Sequence, residues 1–184
     1  KMLDRTLKSF AKFAKDKEDV VLFLHTDPYD LAAGFDLNIL IKELGIMNKV
    51  LYSGVKYFQG FTYQQMNDIY NLMDCFCLLT SGEGFGIPII EAMACEIPVI
   101  ITDYTTSEEL ILENGQCGEV VKLTGTETLP RYDPDGIIYN TLTGSWNVER
   151  GMADIYDGCK MLNKLYFDRD LCKVYGKIGR RKVL

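Results

Sequence analysis

The chain has 184 residues, 47% hydrophobic and 25% charged, proportions of a globular domain with a real core that exclude a disordered segment or a repeat array. Its formal net charge is −6 with Lys and Arg scattered, which leaves no electrostatic footprint for a nucleic-acid backbone or an anionic membrane. No apolar run approaches the ~20 residues of a membrane helix, and no signal-peptide core follows Lys1-Met2-Leu3-Asp4-Arg5.

The elements alternate. Leu3, Leu7, Phe10, Ala11 and Ala14 share one helical face, and the helix ends near Lys15-Asp16-Lys17-Glu18. Val20 to Leu24 is a continuous apolar run, as a parallel strand buried on both faces requires. A helix over about Leu37 to Leu44 stops at Gly45, and a strand spans Lys49 to Ser53. Thr62 with Gln65 three residues on forms a capping box for a helix striped by Met66, Ile69, Tyr70 and Met73. Strand Cys75 to Leu79 leads into the loop Gly82-Glu83-Gly84-Phe85-Gly86. Pro88 then suits the first turn of a helix carrying Ile89, Ile90, Ala92 and Met93.

Strand Val99 to Ile101, a short helix near Ser107 to Leu112 and strand Glu119 to Val121 complete five strands alternating with helices. That order predicts an α/β fold: a Rossmann-like parallel sheet with helices on both faces. Residues 124–146, with Pro130, Asp133-Pro134-Asp135-Gly136 and Gly144, read as a long surface excursion, and residues 147–184 as C-terminal helices. Val148, Met152, Ile155, Tyr156, Cys159, Leu162 and Leu165 make one helical stripe there, and a further helix starts after Asp168.

Cys75, Cys77, Cys95, Cys117, Cys159 and Cys172 lie mostly in apolar strings and not at disulfide-framework spacings, which points to a reducing, cytoplasmic compartment. Cys75 and Cys77 share one strand face, as core filler or, less in keeping with that pattern, as a metal or redox pair. His25, the single histidine, has no Cys or His at ligand spacing, so a strand-end structural role fits better than chemistry and no metal site is expected.

The informative stretch is Ser81 to Ala94. Gly84 and Gly86 between a strand and a helix offer backbone amides and a helix N-terminus to which phosphate oxygens can come close. A glycine corner alone is as readily structural. Glu83 and Glu91, eight residues apart, bracket these glycines. Ionised carboxylates beside a phosphate site are costly unless they face hydroxyl groups, so the set suits a ligand with a diphosphate between two sugar rings. The alternative is that Glu91 complements the helix dipole and Glu83 is a solvated loop residue.

Glu83-Gly-Phe-Gly-Ile-Pro-Ile-Ile-Glu91, followed by Ala92-Met93-Ala94 and Pro98-Val99-Ile100, resembles the Glu-x7-Glu donor signature of retaining glycosyltransferases of the GT-B fold, family 4, glycosyl transferases group 1. Asp68 to Asp74, Thr80-Ser81, Glu108 to Ile111 and Lys1 to Phe10 are similar to flanking segments of that family, so the likeness covers about residues 1–122 and the C-terminal helix. It implies the C-terminal half of a GT-B fold, moving a hexosyl unit from a GDP- or UDP-sugar to a saccharide or lipid-linked acceptor, with no metal or other cofactor. By the same resemblance Glu83 meets the transferred sugar, Glu91 the ribose hydroxyls, Gly84, Phe85, Gly86 and Ile87 the sugar and diphosphate, and Lys1 the leaving diphosphate. As a bare residue Lys1 is equally a frayed chain end.

The likeness has departures. Glu96 stands where the family commonly has glycine, and Thr105-Thr106-Ser107 replaces a Gly-Gly-x-Pro loop close to the donor. Tyr132, Tyr139 and Trp146 on the excursion are better explained by burial under a long loop than by a lid or a partner surface. Opening on a lysine, the chain reads as a piece of something longer. The family's acceptor-binding half, and the strand and arginine that open the donor half, are expected upstream of Lys1. Alone the chain is expected to transfer little, and peripheral membrane attachment would come through that half. The competing class is a non-catalytic Rossmann-like binding or interaction module that keeps the glycine turn as scaffold; the pair Glu83 and Glu91 is what such a scaffold would not need.

Overall fold

A computed structural model describes residues 2–28, 36–54, 59–128 and 149–184. The helices are α1 (Leu3–Phe13), α2 (Leu37–Glu43), α3 (Tyr63–Asn71), α4 (Ile87–Ala94), α5 (Ile155–Phe167) and α6 (Arg169–Val183). The strands are β1 (Leu22–Leu24), β2 (Val50–Tyr52), β3 (Phe76–Leu78), β4 (Val99–Thr102), β5 (Gly118–Val121), β6 (Leu123–Thr128) and β7 (Glu149–Ala153). The fold is α/β, with parallel strands flanked by helices, as the alternation predicts. No described helix is long and apolar enough to cross a membrane.

Local chemistry explains most boundaries. Asp36 accepts the Asn38 and Ile39 amides at 2.8 and 3.2 Å to start α2, and Gly45 takes φ +70° where that helix turns away. Thr62 and Gln65 form the expected capping box on α3. Asp154 and Asp168 cap α5 and α6 through the Asp157 and Leu171 amides. The segment Glu108–Leu112 is a π-helical turn, not an ordinary helix.

Among the described residues the parallel strands β1 to β5 do not form one continuous ladder. β1 pairs with β2, and separately β3 pairs with β4 and β4 with β5. β4 is buried along its whole length, and Gly118 lies so close to it that a Cβ there would sit 2.4 Å from the Val99 carbonyl oxygen. Between β1 and β3 runs an apolar cavity of about 1380 Å³. Phe23 and Cys77 line it from the strands, Phe10 and Leu165 from α1 and α5, and Ile69 and Met73 belong to α3 and its end. Met2 donates its amide to the Leu79 carbonyl at 3.0 Å, so the chain enters α1 from the C-terminal end of β3, at the mouth of that slot.

Two expectations need correction. Residues 149–153 are not the start of the C-terminal helix: they form β7, antiparallel to β6, with Glu127 opposite Arg150. Burial alternates there with period two, with Gly151 and Ala153 inward, and Gly151 has no room for a side chain: a Cβ would lie 2.9 Å from Leu123 Cδ2 and 3.0 Å from the Tyr104 ring. Met152 and Ile155 have helical spacing only by coincidence, because Asp154 separates strand from helix. The excursion accordingly begins as strand β6 at residues 123–128. Tyr132, Tyr139, Trp146 and Val148 lie outside the described residues.

Cys75 and Cys77 pack on the same cluster, as strand alternation predicts, and burial pushes the Cys77 thiol up to about 12 and Cys75 well above its usual range. Both stay protonated near neutral pH, which suits filler. The His25 ring stacks on Phe61 at 5.1 Å, a packing role just beyond β1.

Candidate functional site

The site is built at the C-terminal end of β3, where an α/β sheet ordinarily binds ligands. Leu79 and Thr80 are buried, and the Thr80 amide donates to Thr102 Oγ1 on β4 at 2.9 Å, tying the start of the loop to the neighbouring strand. Thr80 Oγ1 donates to the Gly82 carbonyl at 3.1 Å. The loop then rises to solvent: Gly84 and Phe85 are exposed before the chain turns into α4.

Gly86 makes that turn. It caps α4 in the left-handed region at φ +85°, with Ile89 Cδ1 only 2.7 Å from where a Cβ would be, so neither the conformation nor the space suits another residue. Pro88 occupies the first turn, where its missing N–H costs nothing. The amides around Gly84 to Ile87 thus lie at the positive end of an eight-residue helix. Phe85 and Ile87, each 62% exposed, form an apolar rim.

Glu83 and Glu91 are placed differently. Glu83 is half-buried, and its amide donates to Thr105 Oγ1 at 3.1 Å. Thr105 follows β4 and adopts φ +59°, a left-handed conformation that a β-branched residue adopts only under constraint. Glu91 is exposed on the second turn of α4, past the first turn where a carboxylate complements the helix dipole, and its Oε2 accepts from Tyr70 Oη at 2.8 Å. A hydrogen bond from a core phenol, not the dipole, holds this carboxylate.

Lys1 lies outside the described residues. Sequence reasoning did not assign Tyr70, Thr105 or Arg150 to the site. Tyr70 stood out only as part of an apolar stripe, and Thr105 only as a departure from a family loop. Arg150 Nη1 lies 3.2 Å from where a Cβ of Gly82 would be, because β7 passes over the loop and the Gly151 amide donates to the Ser81 carbonyl at 3.1 Å. No pattern near Arg150 announces that contact, which depends on a hairpin closing across residues distant in sequence.

A glycine-cornered, carboxylate-bracketed loop at the C-terminal edge of a parallel sheet is the arrangement of a Rossmann-like domain. The profile of the family described as "Glycosyl transferases group 1" matches residues 1–129, and the chain belongs to that family. It is 31% identical over 125 residues to a probable sucrose-phosphate synthase of Thermosipho melanesiensis, covering 66% of this chain and 27% of the relative. It is 30% identical over 86 residues to the lipopolysaccharide core biosynthesis mannosyltransferase LpsB of Rhizobium meliloti, covering 47% of this chain and 22% of LpsB. The chain therefore spans about a quarter of the length of these relatives.

Among solved structures, the C-terminal domain of the group 1 glycosyl transferase LpcC from Francisella tularensis has a TM-score of 0.68 at 18% identity, covering 97% of this chain and 75% of that one. Anabaena HepE, solved in complex with UDP-glucose, has a TM-score of 0.67 at 17% identity, covering 97% and 39%. These likenesses establish the fold.

Proposed function

We propose that the chain is the donor-binding half of a retaining, metal-independent glycosyltransferase of family 4 that moves a hexosyl unit from a UDP- or GDP-sugar to a saccharide or lipid-linked acceptor. The observation that carries this reading is the turn at the head of α4, where Gly84, Phe85 and Ile87 are exposed around a buried left-handed Gly86, flanked by Glu83 and by a Glu91 that a buried phenol holds in place. UDP-glucose in the HepE structure supports a nucleotide sugar as donor, and the mannosyltransferase in the name of LpsB supports a hexosyl unit as the group moved.

The chemistry follows from the charges. The bond between the anomeric carbon and the diphosphate breaks, negative charge builds on the departing diphosphate, and the acceptor hydroxyl bonds that carbon on the same face as it passes its proton to an oxygen of the leaving diphosphate. Fixed amides and the helix N-terminus stabilise that charge without reorganising and without a metal ion. Glu83 takes hydroxyl donors from the transferred sugar, Glu91 those of the ribose, and Lys1 and Arg150 supply cations on the diphosphate side.

The rest of the enzyme lies upstream. The slot between β1 and β3 has the shape of one missing parallel strand: it is walled by two strand edges, covered by helices on both faces, and its mouth is where the chain enters α1 at Met2. A strand delivered by the residues preceding Lys1 would join the two ladders and place its C-terminal end beside the glycine loop. The acceptor-binding half then precedes that strand, consistent with the quarter-length match to the relatives.

Calorimetry on the full parent polypeptide with UDP-glucose and GDP-mannose, together with product analysis using the labelled sugars, tests the reading. One donor is expected to bind, with transfer at retained configuration, and Glu91→Ala should lower donor affinity about tenfold or more, the loss of a hydrogen-bonding charged group. Absence of binding, or full activity in Glu91→Ala, overturns it.

A further inference from the structure

We propose that Tyr70 is a positioning residue for Glu91: its phenol, anchored in the core, holds one carboxylate oxygen so that the other meets the ribose hydroxyls of the donor nucleotide. The proposal rests on the role given to Glu91 above and adds the group that makes that carboxylate a fixed acceptor.

An exposed glutamate samples several rotamers, and fixing them on binding costs affinity. Glu91 escapes that cost. Tyr70 is only 4% exposed and lies in the last turn of α3, with its ring 6.0 Å from Phe76 in the cluster that contains Ile89 and Met93. Its ring therefore cannot follow the carboxylate; the carboxylate must come to it. Oη stands 2.8 Å from Glu91 Oε2 and 3.4 Å from the Pro88 carbonyl, and the single phenol proton goes to the nearer, charged acceptor. The bond uses Oε2 and leaves Oε1 for a ligand.

The hydroxyl is otherwise unexplained. A phenylalanine would fill the same space among Ile89, Met93 and Phe76 without desolvating a polar group. Burial and the neighbouring carboxylate raise the Tyr70 phenol above its ordinary range, so it remains a donor through neutral and mildly alkaline pH. α3 and α4 are joined here by the phenol on one and the carboxylate on the other, so helix packing directly sets the carboxylate's direction.

The test uses the full parent polypeptide and four probes: UDP, GDP and their 2′,3′-dideoxy analogues, titrated by calorimetry into wild type, Tyr70→Phe and Glu91→Ala. Wild type should prefer the ribonucleotide, and Tyr70→Phe should narrow that preference about fivefold, part of the effect of a hydrogen bond to a charged group. In turnover with the cognate donor, Tyr70→Phe should raise KM with kcat essentially unchanged, the mark of binding lost equally from ground and transition states. An unchanged preference in Tyr70→Phe, or equal weakening of ribo and dideoxy nucleotides, overturns the positioning role and leaves the site reading intact. A wild-type preference that persists in Glu91→Ala overturns the site reading itself.

Discussion

Ile100 and Leu51 are both central residues of parallel strands, yet Ile100 is fully buried and Leu51 is 56% exposed. Ile100 lies on β4, between β3 and β5, with α4 and α6 packed across the same half. Leu51 lies on β2, in a two-stranded ladder whose partner β1 borders the apolar slot. Apolar content is similar in the two strands; what differs is the supply of neighbours. A parallel strand is finished only when the strands beside it arrive, and those come from elsewhere in the chain.

The largest expected effect breaks the closed half. A Cβ on Gly176 of α6 would lie 2.1 Å from the Glu96 carbonyl oxygen, a backbone atom that cannot swing aside. Arg180 on the same helix donates to the Ala94 carbonyl at 2.7 Å, so α6 is pinned where the methyl would force it away. Gly176→Ala should cost about 3 kcal/mol or more, the upper end of what overpacking a filled interior costs. Gly45→Ala in the open half, with nothing within 4 Å of its Cβ, should cost about 1 kcal/mol, the strain of φ +70° alone. Urea unfolding of both variants checks the contrast, and equal losses would sink it.

Supplying the strand proposed for the slot should change the open half instead. Extending the chain by the residues that precede Lys1 in its parent should bury Phe23 and Leu51, which line the slot, and raise stability by about 3 kcal/mol, the burial of one or two large apolar side chains. Amide hydrogen exchange should slow on β1 and β3 and stay as it was on β4, which already has both partners. Slowing on β4 alone, or none anywhere, would mean that the slot is not a strand site.

The same contrast marks how much could be read from residues in order. Helix caps at Thr62 and Asp154, the stop at Gly45 and the Pro88 turn are local chemistry, so the α/β alternation and most of its boundaries were legible. Glu83 and Glu91 stood out because their spacing brackets two glycines. β7 was misread because Met152 and Ile155 mimic a helical period, and only pairing with residues 123–128 decides the matter. Tyr70 and Arg150 were missed as site residues for a related reason: the phenol meets a carboxylate on another helix, and the guanidinium meets a glycine on another loop. Such contacts are properties of packing, and a single sequence carries no local sign of them.

The smallest effect separates strain kept for a purpose from strain that merely persists. Glu96 and Thr105 both hold left-handed backbone, at φ 60° and 59°. Glu96 sits beyond α4 with its side chain half-exposed and 3.8 Å from Arg180, a pairing worth little in water. Glu96→Gly should therefore stabilise by about 0.5 kcal/mol, relief of the Cβ clash less the added freedom of glycine in the unfolded chain. Thr105→Gly relieves the same strain but removes the oxygen that accepts the Glu83 amide at 3.1 Å, so its stability should stay level or fall while donor affinity drops. If Thr105→Gly gains as much as Glu96→Gly and binds donor as well, the threonine hydroxyl does nothing for the loop. If only Glu96→Gly gains, the strain at Thr105 is retained because it positions Glu83.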